Sequence, residues 1–173
     1  MPTCTRLAPL LLAGLLSACG SLPIEWPYRS RSPCTSSYQR PDWTRLSAEL
    51  EQAQARWTAA DLHTYAYTRT VWNFAGEFVT RVDVENDVVV RVRDEQTGAP
   101  LGTDYAFTID HLFAQLHTAV TQAQANAQSC LLLTVTYDVS LGFPTLIDTA
   151  DLTEGLQDAF GTQRLSGLDP RSP

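Results

Sequence analysis

Chemistry in a chain starts with groups that hold metals or move protons, and this one has three histidines. His111 and His117 stand six residues apart, about 600° of helical rotation, which leaves them roughly 120° from each other on a helix. They make no ligand pair. His63 sits at the expected end of a first helix, where a cationic side chain suits the dipole. No cysteine or histidine spacing of a zinc site lies behind them, so no metal and no cofactor is expected. The acidic run Asp83, Glu85 and Asp87 has the spacing of the first ligands of a calcium loop. Val88 stands where that loop needs Gly, however, and Asp94 rather than Glu is at its twelfth position. The run reads instead as a hairpin with a solvated acidic edge, which discourages edge-to-edge aggregation.

Hydrolysis would need a Ser or Cys on a sharp turn with a partner His, or two carboxylates across a cleft. The sequence has no nucleophile elbow, zinc-protease or phosphate-loop motif. Asp110 and His111 are neighbours, but consecutive residues on a helix point apart. The expectation is a protein that is not an enzyme. Two places remain where a ligand could bind. Tyr65, Tyr67, Trp72 and Tyr137 could line a pocket for a small ligand or glycan, with burial in the core as the competing reading. The stretch "TYDVSLGFPTLID", Thr136 to Asp148, is the other. There Gly142 permits positive φ, Pro144 fixes φ at a strand entry, Phe143 can pack back on the sheet and Asp138 can accept backbone N–H groups. These are the needs of a sheet-closing turn. A binding loop at Tyr137, Asp138, Gly142, Phe143 and Pro144, or a hydrolase site near Asp138, is the alternative.

The elements that must position these residues follow from periodicity. Asp42 is placed to cap a helix whose apolar stripe is Leu46, Leu50, Ala53 and Trp57. "HTYAYTRTVW" then alternates, with Tyr65, Tyr67, Arg69 and Val71 on one side. "EFVTRVDVENDVVVRVRD" reads as a hairpin with Asn86-Asp87 at its bend. A two-residue turn pairs Val84 with Val89 and Val82 with Arg91; a three-residue turn pairs Val84 with Val88 and Val82 with Val90. A Gly- and Pro-containing loop follows. Thr108 can cap a second helix with the stripe Leu112, Phe113, Leu116, Val120 and Ala123. "CLLLTVTYD" is a strand, another follows Pro144, and "DLTEGLQDAF" suggests a short helix before an unordered tail. The expected fold is α+β, a two-layer sandwich. It has an antiparallel sheet of about five strands with two helices on one face, in the order α-β-β-β-α-β-β.

The first residues read as an address rather than as fold. "MPTCTR" is a short charged leader, "LAPLLLAGLL" an apolar run too short to span a bilayer, and "LSAC" ends at Cys19. That tetrapeptide resembles the lipobox of bacterial lipoproteins. Residues 1–18 would be a removed signal peptide, and Cys19 would carry acyl chains such as palmitate that bind the protein to a membrane. A cell-envelope location follows, at the outer membrane in a host with two membranes and otherwise at the outer face of the cell membrane. Residues 19–41, with Pro23, Pro27, Pro33 and Pro41, read as a tether. Residues 42–160 read as one domain and 161–173 as a disordered tail. Cys34 and Cys130 are then the cysteines left to form a disulfide, with two separate thiols as the alternative. The net charge is −7 and every basic residue is Arg. Such an acidic body disfavours nucleic acid and a second electrostatic membrane contact. The basic residues show no cluster along the sequence, and the oligomeric state is not encoded in any pattern here.

The segments "YAYT", "VDVENDVVV", "TIDHLF" and "YDVSLGFPTLID" together resemble a bacterial family, many of them lipoproteins, catalogued as domain of unknown function 6174. Phe143 stands where that family's motif has Tyr, and Asn86-Asp87 replaces its Asp-Gly turn. The resemblance implies a fold and a place in the cell envelope but no assigned activity. A module that binds a ligand or an envelope protein is the first expectation. An accessory subunit of an outer-membrane assembly is a further one.

Overall fold

A computed structural model describes residues 33–156 and 159–171. The lipobox, Cys19 and the first part of the expected tether lie outside the described residues. The first helix, α1 (Trp43–Ala60), starts where Asp42 accepts the backbone N–H of Arg45 at 3.0 Å, satisfying one of the donors a helix start leaves open. It buries Trp43, Leu50, Ala53 and Trp57. The second, α2 (Ile109–Ala125), is capped by Thr108 on His111 N and buries Ile109, Leu112, Phe113, Leu116, Val120 and Ala123. Both predicted stripes therefore face the core. Among the described residues no helix is long and apolar enough to cross a membrane.

The helices pack on an antiparallel sheet of seven strands rather than about five. These are β1 (Tyr65–Asn73), β2 (Gly76–Glu85), β3 (Val88–Asp94), β4 (Pro100–Leu101), β5 (Leu131–Tyr137), β6 (Pro144–Asp151) and β7 (Phe160–Pro170). The spatial order is β4-β3-β2-β1-β7-β6-β5. Two corrections come with β7. The expected helix at "DLTEGLQDAF" is absent among the described residues, since Asp151 ends β6 and Phe160 begins β7. Nor do residues 161–170 form a loose tail, because they fill the middle of the sheet and join the β1–β4 half to the β5–β6 hairpin. Leu165 is buried there between both neighbours. The added edge strand β4 is two residues paired to Val92 and Arg93, inside what reads as loop in the sequence.

The β2–β3 turn settles the hairpin register. Asn86 and Asp87 both take positive φ, 50° and 63°, the two-residue turn whose twist matches the strands. Val84 thus pairs with Val89, but Val90 is a bulge and Val82 pairs with Val92, not Arg91. Without the bulge Arg91 would point into the core. The extra residue swaps Val92 onto the buried face and Arg91 onto the open one.

The domain also begins before Asp42. Cys34 bridges Thr153 in the sheet's margin and is disulfide-bonded to Cys130, with Cα atoms 5.2 Å apart. Closing a loop of 96 residues adds about 4.7 kcal/mol on the chain-entropy account. Arg40 then donates to the carbonyls of Ala123, Asn126 and Ala127, meeting the open acceptors at the end of α2. What reads as the last part of a tether is bound to the domain.

Candidate functional site

The aromatic residues of β1 face the helices, as their alternation predicts, and are wholly buried. The Tyr65 hydroxyl accepts the N–H of Ile109 at 2.9 Å, and the Tyr67 hydroxyl donates to the carbonyl of Phe107. Burial pushes the phenol of Tyr65 well up, and burial likewise pushes that of Tyr67 up to about 12. Both stay neutral, with no side-chain surface open to solvent. Tyr137 stacks on Phe113 with ring centroids 6.5 Å apart. Trp72 lies on the opposite face of the sheet, under the guanidinium of Arg164 at 5.6 Å. The four aromatic candidates are not brought together.

The turn after β5 is closed from within. Asp138 accepts from Ser140 N at 2.9 Å and Leu141 N at 2.7 Å, and Gly142 N donates back to its carbonyl. Gly142 has φ +82°, and a Cβ there would sit 2.2 Å from the carbonyl oxygen of Ala53 on α1. Phe143 is buried edge-on against Trp57, and Pro144 is buried at the first position of β6. The loop is pressed onto α1. One Asp138 oxygen is taken up by the turn.

The histidines are placed separately. His111 stacks on Phe107 at 4.8 Å, while His117 bonds Gln54 of α1 at 2.6 Å. His63 lies between Asp87 (2.8 Å) and Asp61 (3.1 Å), at a cleft of about 330 Å³ that Trp57 and Asp110 also line. The hydrogen bond to Asp87, then that to Asp61, raises its pKa. These polar groups are occupied with one another: Trp57 donates to Asp110 at 3.3 Å, and Asp87 N donates to the carbonyl of His63. The cleft ties the hairpin tip to the end of α1. Among the described residues, no group of three or more His, Cys, Asp and Glu is arranged to hold a metal.

A different arrangement carries the better site. Where the β1–β2 hairpin runs past the helices it forms a groove of about 580 Å³, walled by Val71, Ala75, Phe78, Leu101 and Tyr105. Phe78 and Tyr105 are 51% and 64% exposed, and Phe74 at the hairpin tip is exposed beside them. Exposed apolar side chains concentrated like this mark binding surfaces more often than scattered ones do. Arg69 lies at the groove. Its Nε and Nη2 donate to Gln163 Oε1 at 3.0 and 2.9 Å, and Nη1 donates to the carbonyl of Tyr105 at 2.7 Å. Its plane lies over Phe107 at 5.6 Å. Among the described residues it has no carboxylate within ion-pair distance, and burial lowers its pKa without discharging it. Asp94, on β3, lines the far side; hydrogen bonds from the backbone and hydroxyl of Thr97 hold its carboxyl below the usual range.

The open face of the sheet holds a cluster invisible in linear sequence. Asp83 is 1% exposed and meets Arg91 Nε at 2.7 Å and Arg93 Nη2 at 3.5 Å. Arg171 Nη1 is 3.0 Å from its other oxygen, an ion pair without hydrogen-bond geometry. Burial pushes the Asp83 carboxyl up, but the bond and charge of Arg91 with the charges of Arg171 and Arg93 outweigh it, and the net shift is downward. The signal was the alternation of "TRVDV" against "VRVRD", which sends Arg81, Asp83, Arg91 and Arg93 to one face once the strands pair. Arg69 had a weaker signal, a lone charge on the apolar side of "YAYTRTV".

The profile of a family described as a family of unknown function, DUF6174, matches residues 49–160, and the chain belongs to that family. The match ends at Phe160, so β7 lies almost wholly beyond it. A comparison with curated proteins finds no match.

Proposed function

We propose that this member of the DUF6174 family is a lipid-anchored protein of the cell envelope, held at a membrane by acyl chains on Cys19, whose domain binds a ligand without transforming it. The observation that carries the binding half of this reading is Arg69: a partly buried guanidinium without a carboxylate partner among the described residues, beside an apolar groove of small-molecule size. The anchoring half rests on "LSAC" after an apolar run of signal length. The disulfide between Cys34 and Cys130 suits the oxidising compartment that anchoring implies.

The test is hydrogen exchange on the full chain from its own host, with and without a small-molecule extract of that envelope. Protection of residues 69–80 and 101–105, with the bound compound recovered unchanged and acyl mass on a chain starting at Cys19, supports the reading. Protection of residues 138–143 with a converted compound would replace it by a hydrolase near Asp138. An unmodified chain starting elsewhere would remove the anchor.

A further inference from the structure

We infer that the groove beside Arg69 takes an amphipathic monocarboxylate, a single carboxylate on an apolar chain; this rests on the reading of the groove as a ligand site. The argument begins with the donors of Arg69. A guanidinium has five N–H groups, and Gln163 and Tyr105 take three of them, leaving one on each terminal nitrogen. A pair of that kind is what the two oxygens of a carboxylate accept, and the bond is charge-assisted. Gln163 and Phe107 hold the guanidinium in place before any ligand arrives, so less side-chain entropy is lost on binding.

The rest of the groove sets the remainder of the ligand. Val71, Ala75, Phe78 and Leu101 offer no hydrogen bond from their side chains, so the part of the ligand lying along them is hydrocarbon. Asp94 decides the charge. It is ionised and lines the same groove two strands from Arg69, so a dianion such as a phosphate monoester would meet one cation and one fixed anion. A monoanion matched to Arg69 alone halves that repulsion. A neutral alcohol of the same length would leave the two Arg69 donors without an ionic acceptor.

The experiment uses the full lipidated chain in lipid nanodiscs and reads hydrogen-exchange protection of residues 69–80 and 101–105 against concentrations of octanoate, octanol and octyl phosphate. Octanoate is expected to reach half-protection at a concentration at least tenfold below that of either other compound. Arg69→Gln should remove the advantage of octanoate over octanol. Leu101→Asp, at an exposed edge position away from Gln163, should weaken octanoate at least fivefold and octanol less, which covers the case in which Arg69→Gln disturbs the fold. Equal protection by octanoate and octanol, stronger protection by octyl phosphate, or octanoate binding unmoved by both substitutions overturns the inference. If none of the three protects these residues while an envelope extract does, the carboxylate assignment falls and the groove stands. If nothing protects them, both fall.

Discussion

The Tyr65 hydroxyl accepts the backbone N–H of Ile109 at 2.9 Å, so a strand residue satisfies a donor at the first turn of α2. Tyr67, two residues along the strand, does the complementary thing by donating to the carbonyl of Phe107, and Thr108, between Phe107 and Ile109, caps the helix on His111 N. Asp110 then accepts from Trp57 on α1. Five side chains, from β1, α1 and the start of α2 itself, thus fix where α2 begins. The segments "YAYT" and "TIDHLF" are joined by hydrogen bonds from side chains to backbone groups.

Tyr65→Phe should therefore destabilise the fold without changing its shape. The ring stays, packed edge-on against Trp57 at 5.3 Å, while a fully buried N–H loses its acceptor. The expected cost is about 1–3 kcal/mol, the desolvation penalty of an orphaned donor. Urea unfolding of the variant against the parent reads it directly, and a change under 0.5 kcal/mol would show that another acceptor replaces the hydroxyl.

Gly142→Ala should cost more. The residue sits at φ +82°, where a side chain is strained, and the new Cβ would lie 2.2 Å from Ala53 O and 2.9 Å from Arg56 Cβ. Neither is the end of a flexible side chain, so the loop must lift off α1 and take Phe143 from its contact with Trp57. A loss of about 2–4 kcal/mol is expected, combining backbone strain with overpacking. Thermal unfolding checks it, and a variant as stable as the parent would mean that the loop is not held against the helix in solution.

The two helices, their caps and the alternation of β1 were legible because each depends on its own neighbours in sequence. Asp42 and Thr108 cap as expected, and the apolar stripes follow the helical period. The bulge at Val90 was not legible, since its cause is a choice of face shared by β2 and β3. The strand β7 was hidden for a stronger reason. "FGTQRLSGLDP" has Leu165 as its one fully buried side chain, and its place comes from ladder bonds to β1 and β6, which lie far from it in sequence. Arg69 could be seen on the correct face of β1, but not that its partners would be Gln163 and a carbonyl instead of a carboxylate.

His63 makes stability depend on pH near neutrality. Its pKa is raised above the ordinary value by the hydrogen bond to Asp87 first and that to Asp61 second. A raised histidine pKa means the folded state holds its proton more tightly than the unfolded chain. The contribution is full below about pH 6.5 and disappears as pH climbs through the raised folded value. The melting temperature should therefore fall slightly on going from pH 6 to pH 8, by a small amount because the pair is open to solvent. Asp87→Asn should flatten that slope, since Asn also tolerates the positive φ of the turn. Parallel melts of the two proteins across the range test this, and identical slopes would remove the Asp87 contact as the cause.

Asp83 acts at the other end of the pH scale. Its carboxyl is held below the usual range despite burial, so it stabilises the fold above the unfolded value of about 4, and that stabilisation is lost as pH falls through the lower folded value. Asp83→Asn should lower stability at pH 7 by about 2 kcal/mol, below the cost of breaking a fully buried pair because Arg91, Arg93 and Arg171 are each more than a third exposed and regain water. At pH 2.5 the two proteins should approach each other. A constant difference across that range would show that Asp83 contributes by packing and not by charge.

The position of β7 gives the last expectation. It is the strand that pairs with both β1 and β6, so removing it would leave two long edges with unmet backbone groups and divide the sheet in two. Leu165→Ala tests its role more gently than truncation. The side chain is 2% exposed and belongs to the same core as Tyr67 and Leu116, so the cavity should cost about 2–5 kcal/mol. Hydrogen exchange adds a second reading: because β7 bridges the halves, the amides of β1 and β6 should lose protection together in the variant, as parts of one cooperative unit. If β1 stayed protected while β6 opened, β7 would belong to one half only, and the β5–β6 hairpin would be an appendage of the sheet.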